Sequence, residues 1–285
     1  MDGGAAAASL PVMNKHQQPA IGHLIRDWRQ LRRLSQLDLA LEAEISQKHL
    51  SFVESGRSIP SRDMVLLLAE HLGVPLRERN ALLLSAGYAP VYLERSLEDP
   101  SLQAARSAID LLLKGHEPYP AVAVDRHWTL LAANKMIAPM LAVVEDADLL
   151  RPPVNVLRLS LHPRGLAPAI INLTEWRGHL IARLRQQIRA TADPLLAELL
   201  TELLSYPVPA APVVKGRAQE EAEPPIVLPL HLRLGETELS LISTTTVFGT
   251  PVDVTLSELA LETFFPADEA TGRALRAIAE ANASA

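Results

Sequence analysis

Between residues 21 and 87 the chain alternates helix-forming stretches with helix-ending residues at short intervals. This punctuation constrains the fold more than any other feature. Ile21, Leu24, Ile25, Trp28 and Leu31 are spaced three and four apart, which makes one apolar helix stripe. Ser35 is placed to cap a second helix over 36–43. Ser46 is placed to cap a third over 47–54, which Gly56 ends. Pro60-Ser61 opens a fourth over 62–72, ended by Gly73. Pro75 stands at the first turn of a fifth over 76–85, closed by Gly87. Five helices within 67 residues are all short, so none can bury its apolar face except against the others.

Residues 36–56 hold the most specific pattern. Ala40 is small where two helices would cross closely, and Ile45, Leu50 and Val53 are spaced to pack against Leu39. Two short helices joined by a three- to four-residue turn have the geometry of a helix-turn-helix. The second of them offers Gln47, Lys48, His49, Ser51 and Phe52 outward. Glutamine can contact adenine bidentately, lysine can reach guanine, and serine suits either, so this face fits a major-groove reader. Leu37 and Leu41 project from the first helix without a core role, which marks them as a patch for a partner subunit or for the rest of the chain.

With the string VESGRSIPS at 53–61 following a Gln-led first motif helix, residues 21–87 resemble the XRE-type helix-turn-helix, the five-helix domain of phage repressors and Cro. The resemblance implies that Gln36 touches backbone phosphate and that Gln47, Lys48 and Ser51 face base edges. It also implies that Arg57 and Arg62 hold phosphates. The expected DNA-binding set is Gln36, Ser46, Gln47, Lys48, His49, Ser51, Phe52, Arg57 and Arg62. One residue departs from the family pattern. Glu44 stands in the turn where glycine is frequent, and left-handed dihedrals there would cost about 1–2 kcal/mol.

A net charge of −6 looks wrong for a DNA-binding chain, but it conceals an asymmetry. Residues 1–90 carry 10 basic and 9 acidic groups, whereas 91–285 carry 17 and 24. The two halves therefore face different partners. The length of 285 residues fits two domains, and 48% apolar residues suffice for two cores. The absence of cysteine excludes disulfides, thiolate metal sites and a thiol nucleophile. No apolar run reaches 18 residues, so no membrane span is expected. The first 19 residues are small and polar and read as a flexible tail without a secretory signal. A cytoplasmic protein, associated with the nucleoid when bound to DNA, is the resulting expectation.

Past a helical connector at 89–118, with helix expected over 104–113, the pattern changes. Short strands are expected at 121–124 and 128–132, then helices over 135–144, 154–161, 173–190 and 194–205. A loop rich in Pro, Ala and Glu covers 206–225. Strands follow at 226–234, 238–247 and 252–255, with Gly235-Glu236 as a hairpin turn. Helices near 256–264 and 269–281 close the chain. No repeat of solenoid length is visible.

Several stretches here resemble the MmyB-like regulators, which join an XRE-type domain to a ligand-binding domain. They are the run from Arg79 to Pro90; Asp125-Arg-His-Trp128 with Ala133-Asn134; Asn155-Val-Leu-Arg158 with Leu161-His-Pro163; Asn172-Leu-Thr-Glu-Trp176; Thr246-Val-Phe-Gly249; and Glu262-Thr-Phe-Phe-Pro266-Ala-Asp268. The resemblance implies an α+β PAS-like domain over 119–268, with a small antiparallel sheet and a C-terminal helix and tail at 269–285. It also implies a small apolar, fatty-acid-like ligand and no cofactor.

Trp128, Asn134, Arg158, Trp176, His179 and Arg183 are the candidate ligand-binding residues. Each has a plainer reading as well. The tryptophans fit a core, Asn134 fits a cap for a helix beginning at Lys135, and Arg183 and Arg185 fit a solvated helix face. A ligand carboxylate would need a cation, and Arg158, His179 and Arg183 are the available choices. GxGxxG, GxxxxGK[ST], HExxH and GxSxG are all missing, and no histidines stand at metal-ligand spacing, so an enzyme is not expected. The expected function is sequence-specific transcription regulation by a homodimer that senses a small apolar molecule. The alternative is a DNA-anchored regulator whose C-terminal half binds another protein.

Overall fold

The computed structural model describes residues 20–207, 227–249 and 251–283. The expected tail at 1–19 and nearly all of the 206–225 loop lie outside the described residues. The chain divides into two units, Met1–Val91 and Tyr92–Ala285.

The first unit is the five-helix cluster: α1 (Ile21–Leu31), α2 (Gln36–Glu42), α3 (Gln47–Glu54), α4 (Arg62–His71) and α5 (Leu76–Ser85). Three of its helices begin where a serine side chain satisfies a free backbone amide. Ser35, Ser46 and Ser61 accept from the amides of Asp38, His49 and Met64. Ser35 and Asp38 form a reciprocal capping box. Gly56, Gly73 and Gly87 leave their helices with positive φ. Leu39, Ala40, Leu50, Val53, Val65, Leu68 and Leu82 make the core. A Cβ on Gly22 would lie 2.3 Å from the Val53 carbonyl oxygen, so only glycine lets α1 cross the end of α3 this closely. Glu44 does adopt the left-handed conformation, with φ of 53°.

The second unit is α+β, as the PAS-like reading implies. It begins with α6 (Gln103–Gly115), β1 (Ala121–Val124) and β2 (Leu130–Ala133). The helices α7 (Ala138–Leu141), α8 (Val156–Leu161), α9 (Leu173–Thr191) and α10 (Pro194–Ser205) follow. The chain then forms β3 (Leu230–Leu234), β4 (Thr237–Val247), α11 (Val254–Ser257), β5 (Ala260–Pro266) and α12 (Glu269–Ala283). The strands form one antiparallel sheet in the order β2-β1-β5-β4-β3. Gly235, with φ of 60°, turns the β3–β4 hairpin.

One sheet face packs Val122, Val124, Leu232, Leu239 and Leu241 against Trp176, Leu180 and Leu184 of α9 and Leu196, Leu199 and Leu203 of α10. The other packs Ala121, Ala123 and Leu261 against Ile109 and Leu113 of α6. The helix expected in a connector is thus seated on the sheet, and the closing helix α12 buries Leu275 in the main core.

Three expectations are corrected. The helix near 256–264 is strand β5, the centre of the sheet. A strand covered on both faces shows no clean alternation, and a short apolar run then reads as helix or strand equally well. The strand at 252–255 is largely the single turn α11, because Asp253 caps it at the amides of Thr255 and Leu256. The helix over 135–144 is a 3-10 turn, Lys135–Ile137, and the four-residue α7, with Pro139 in its first turn.

Candidate functional site

In the helical unit, α2 and α3 form the expected helix-turn-helix. Along α3, Gln47 and Lys48 are exposed, while His49, Ser51 and Phe52 are half-buried. The Lys48 ammonium and the Arg57 guanidinium each lie 5.7 Å from the Phe52 ring centroid. Cation–π attraction at this range holds two flexible cations on one surface. Ser46 caps α3 and Arg62 begins α4, both exposed. Leu37 and Leu41 of α2 are 50% and 68% exposed.

What fixes α3 is a buried ion pair that sequence reasoning missed. Glu54, 1% exposed, accepts from Arg29 Nε at 2.6 Å and from Arg29 Nη2 at 2.8 Å. It also accepts from Gln36 Nε2 at 2.8 Å, and Arg29 Nη1 donates to the Leu34 carbonyl. The group ties α1, α2 and α3 together. Burial alone pushes the Glu54 carboxyl up. Hydrogen bonds from Arg29 and Gln36, and the charges of Arg29 and Arg26, outweigh burial and hold it below its ordinary value.

The arginine-rich first helix is therefore less free than its sequence suggests. Arg29 is neutralised by Glu54, and Arg32 donates to the Leu72 and Gly73 carbonyls at the end of α4. Gln36 spends one of its two side-chain N–H groups on Glu54.

The second unit holds a cavity of about 120 Å³ between the sheet and the helices. Its walls are mostly apolar, with Val122, Leu130, Leu232, Leu241 and Phe264 from the sheet and Met140, Leu157, Leu159, Trp176 and Leu180 from the helices. Trp128 closes part of it, and its backbone is left-handed, with φ of 67°. For a bulky residue this costs about 1–3 kcal/mol.

The surrounding residues enforce that conformation. The Asp125 carboxylate accepts from the amides of His127 and Thr129, each at 2.8 Å. Gln187 accepts from the Trp128 indole N–H at 2.8 Å and donates to the Arg126 carbonyl at 2.7 Å. The string Asp125-Arg-His-Trp128 is thus a device for aiming an indole into the cavity.

Of the six candidate residues in this unit, Trp128, Trp176 and Arg183 line the cavity, and Asn134, Arg158 and His179 do not. Asn134 is buried and fully engaged. Its carbonyl oxygen accepts from Ala121 and Met136, and its amide donates to the carbonyls of Leu113 and Tyr119. It is the cap and knot of the β2 end. Arg158 is exposed and bidentate to Glu202, which also accepts from the Tyr206 hydroxyl. His179 is exposed and stacks on Trp176, with centroids 5.5 Å apart.

Arg183 departs from the solvated-face reading. It donates to Glu262 at 2.9 and 2.5 Å, and its guanidinium lies 4.6 Å from the Trp128 ring centroid. Three polar lining residues were missed: Glu262, Ser160 and Ser243. A second, more polar hollow of about 370 Å³ shares Trp128, Arg183 and Glu262 with the first, so these three side chains form a partition between the two.

Among the described residues, no cluster of three or more His, Asp or Glu side chains could hold a metal ion. No described helix is long and apolar enough to cross a membrane.

The chain is similar to two family models. The MmyB-like transcription regulator ligand binding domain matches residues 105–278, more than half of the chain. A helix-turn-helix family matches residues 25–79. No curated protein matches the chain.

Proposed function

Because the chain belongs to the MmyB-like transcription regulators, we propose that it reads specific DNA through α3 and changes that binding when a small apolar molecule enters the second unit. The DNA-binding helix-turn-helix and the ligand-binding domain are the two parts such a regulator needs. The observation that carries the effector reading is the cavity, apolar on nearly every wall and closed by an indole held in a strained conformation. An aliphatic chain of fatty-acid-like character suits such walls, because burying its carbons in an apolar site is favourable.

In this reading Gln47, Lys48, His49 and Ser51 meet base edges, with Phe52 as their support. Ser46, Gln36, Arg57 and Arg62 hold the backbone. The DNA unit is close to neutral, so bulk attraction contributes little and base contacts carry more of the affinity. Two copies act together on half-sites about one helical turn apart, since one short helix reads too few bases. The effector favours one arrangement of its domain and so shifts how the two DNA-reading heads are presented. The protein acts in the cytoplasm, on the DNA there.

The test is selection of bound DNA from a random pool by the purified full chain, with and without lipid extract. Mass spectrometry of molecules released on heating accompanies it. A single enriched motif whose occupancy changes with extract is the expected result. Enrichment of no motif, or a motif indifferent to any extract, sinks the reading. Light scattering that shows only monomer, free and on the selected DNA, removes the dimer.

A further inference from the structure

Among the described residues, the cavity contains charge only as a closed pair. Arg183 is the single lining cation among them, and both its terminal nitrogens are committed to Glu262. Arg183 Nη2 also donates to Thr245 Oγ1 at 2.7 Å, and that hydroxyl donates to Glu262 Oε1 at 3.1 Å. Glu262 is 5% exposed and sits on the central strand, registered between Val122 and Thr245. A ligand carboxylate entering this space needs a cation. Taking Arg183 would strip Glu262 of its partner and leave a buried charge uncompensated. The pair therefore works against anionic ligands.

What the cavity does offer is two hydroxyls. Ser160 Oγ accepts from the Trp176 indole N–H at 3.2 Å, and among the described residues nothing takes its proton. Ser243 also lines the cavity, and among the described residues its hydroxyl makes no hydrogen bond. Ser160 comes from α8 and Ser243 from β4, so the two stand on different walls. Both serines are half-buried, and a hydroxyl that lines an apolar cavity with a bond to spare is where a ligand's polar atom can be oriented.

We infer that the effector is an uncharged, mostly aliphatic molecule with one hydrogen-bonding oxygen (an alcohol, ester or amide rather than a free acid), read by Ser160 and Ser243 and filtered by the Arg183–Glu262 pair. This rests on the effector reading given above and specifies its chemistry. The cavity is somewhat smaller than one of about 150 Å³ that accepts benzene, so a chain of about six heavy atoms is the fitting probe.

The experiment measures binding of pentan-1-ol, propyl acetate and pentanoate to the full chain by titration calorimetry at neutral pH. Pentan-1-ol or propyl acetate should bind at least about 10-fold more tightly than pentanoate. Ser160→Ala and Ser243→Ala should each weaken the neutral ligand by about 3- to 10-fold, with a cooperative melting transition retained in both. Glu262→Gln frees the arginine charge and should bring pentanoate up to the affinity of the alcohol. Pentanoate binding as tightly as the neutral probes to the unaltered protein overturns this inference and leaves the effector reading standing. Binding of none of the three overturns the effector reading, and this inference with it.

Discussion

Each unit of the molecule buries a glutamate against an arginine fork, and the two pairs differ in what borders them. Glu54 and Arg29 are enclosed by helices, and their remaining bonds go to Gln36 and to a backbone carbonyl. Glu262 and Arg183 face a cavity on one side and a polar hollow on the other. The same chemistry thus serves two ends. In the helical unit it fixes the angle of α3, the second helix of the helix-turn-helix. In the α+β unit it sets the electrostatic character of a cavity wall. The difference lies in the free space beside the pair, and strength of contact does not distinguish them.

The largest expected effect comes from breaking the enclosed pair. Arg29→Ala takes from buried Glu54 its bidentate partner and leaves it only the longer contact from Arg26 Nε at 3.5 Å and the Gln36 amide, so it should destabilise the helical unit by about 3 kcal/mol, read by urea denaturation. A loss below 1 kcal/mol would mean that the pair is not structural. The same cut on the other side should cost less. In Arg183→Ala, Glu262 can draw water from the adjoining hollows, so about 1–3 kcal/mol is expected. Equal losses for the two variants would erase the contrast.

Next come the DNA contacts. Replacing Gln47 and Lys48 together by Ala should remove about 1–3 kcal/mol of sequence discrimination per lost contact, with the stability of the unit unchanged. An unaltered operator preference in a gel-shift series would move the reading surface elsewhere.

The smallest effect is a pH dependence. The Glu54 carboxyl lies below its ordinary value of 4.5, so its ionised form stabilises the fold. That contribution is complete above pH 4.5 and is lost as pH falls below it, through the depressed folded-state value. Acid titration of Glu54→Gln should show a flatter decline than the unaltered chain over that range. Parallel curves would remove Glu54 as the acid-sensitive group.

The helical unit was far more legible than its partner. Four of its five helices begin at a capping serine or a proline, α1 alone starting without a side-chain cap at Ala20, and they end near glycine or a polar break. The segments expected at 47–54 and 76–85 coincide with α3 and α5. All of that information is local. The ion pair that steadies the unit is not, because Arg29 and Glu54 are 25 residues apart and no short motif joins them. In the α+β unit the decisive element, β5, is central and covered on both faces, so its run Ala260–Pro266 carries no period that marks a strand. Reading it as helix concealed Glu262. Arg183 could then be named without its partner, 79 residues away. A lone acid amid Leu261, Thr263, Phe264 and Phe265 was the available signal, since a charge inside such a run needs a counter-charge.

The chain has three tryptophans, and their positions give it built-in optics. Trp128 and Trp176 line the cavity, while Trp28 is buried in the helical core beneath Arg32. Emission from the first two should change colour and intensity as a guest displaces water or shifts the stacked Arg183. Trp28 reports only on its own unit. A Trp28→Phe chain would therefore be a self-contained fluorescent sensor for whatever enters the cavity, with no dye attached.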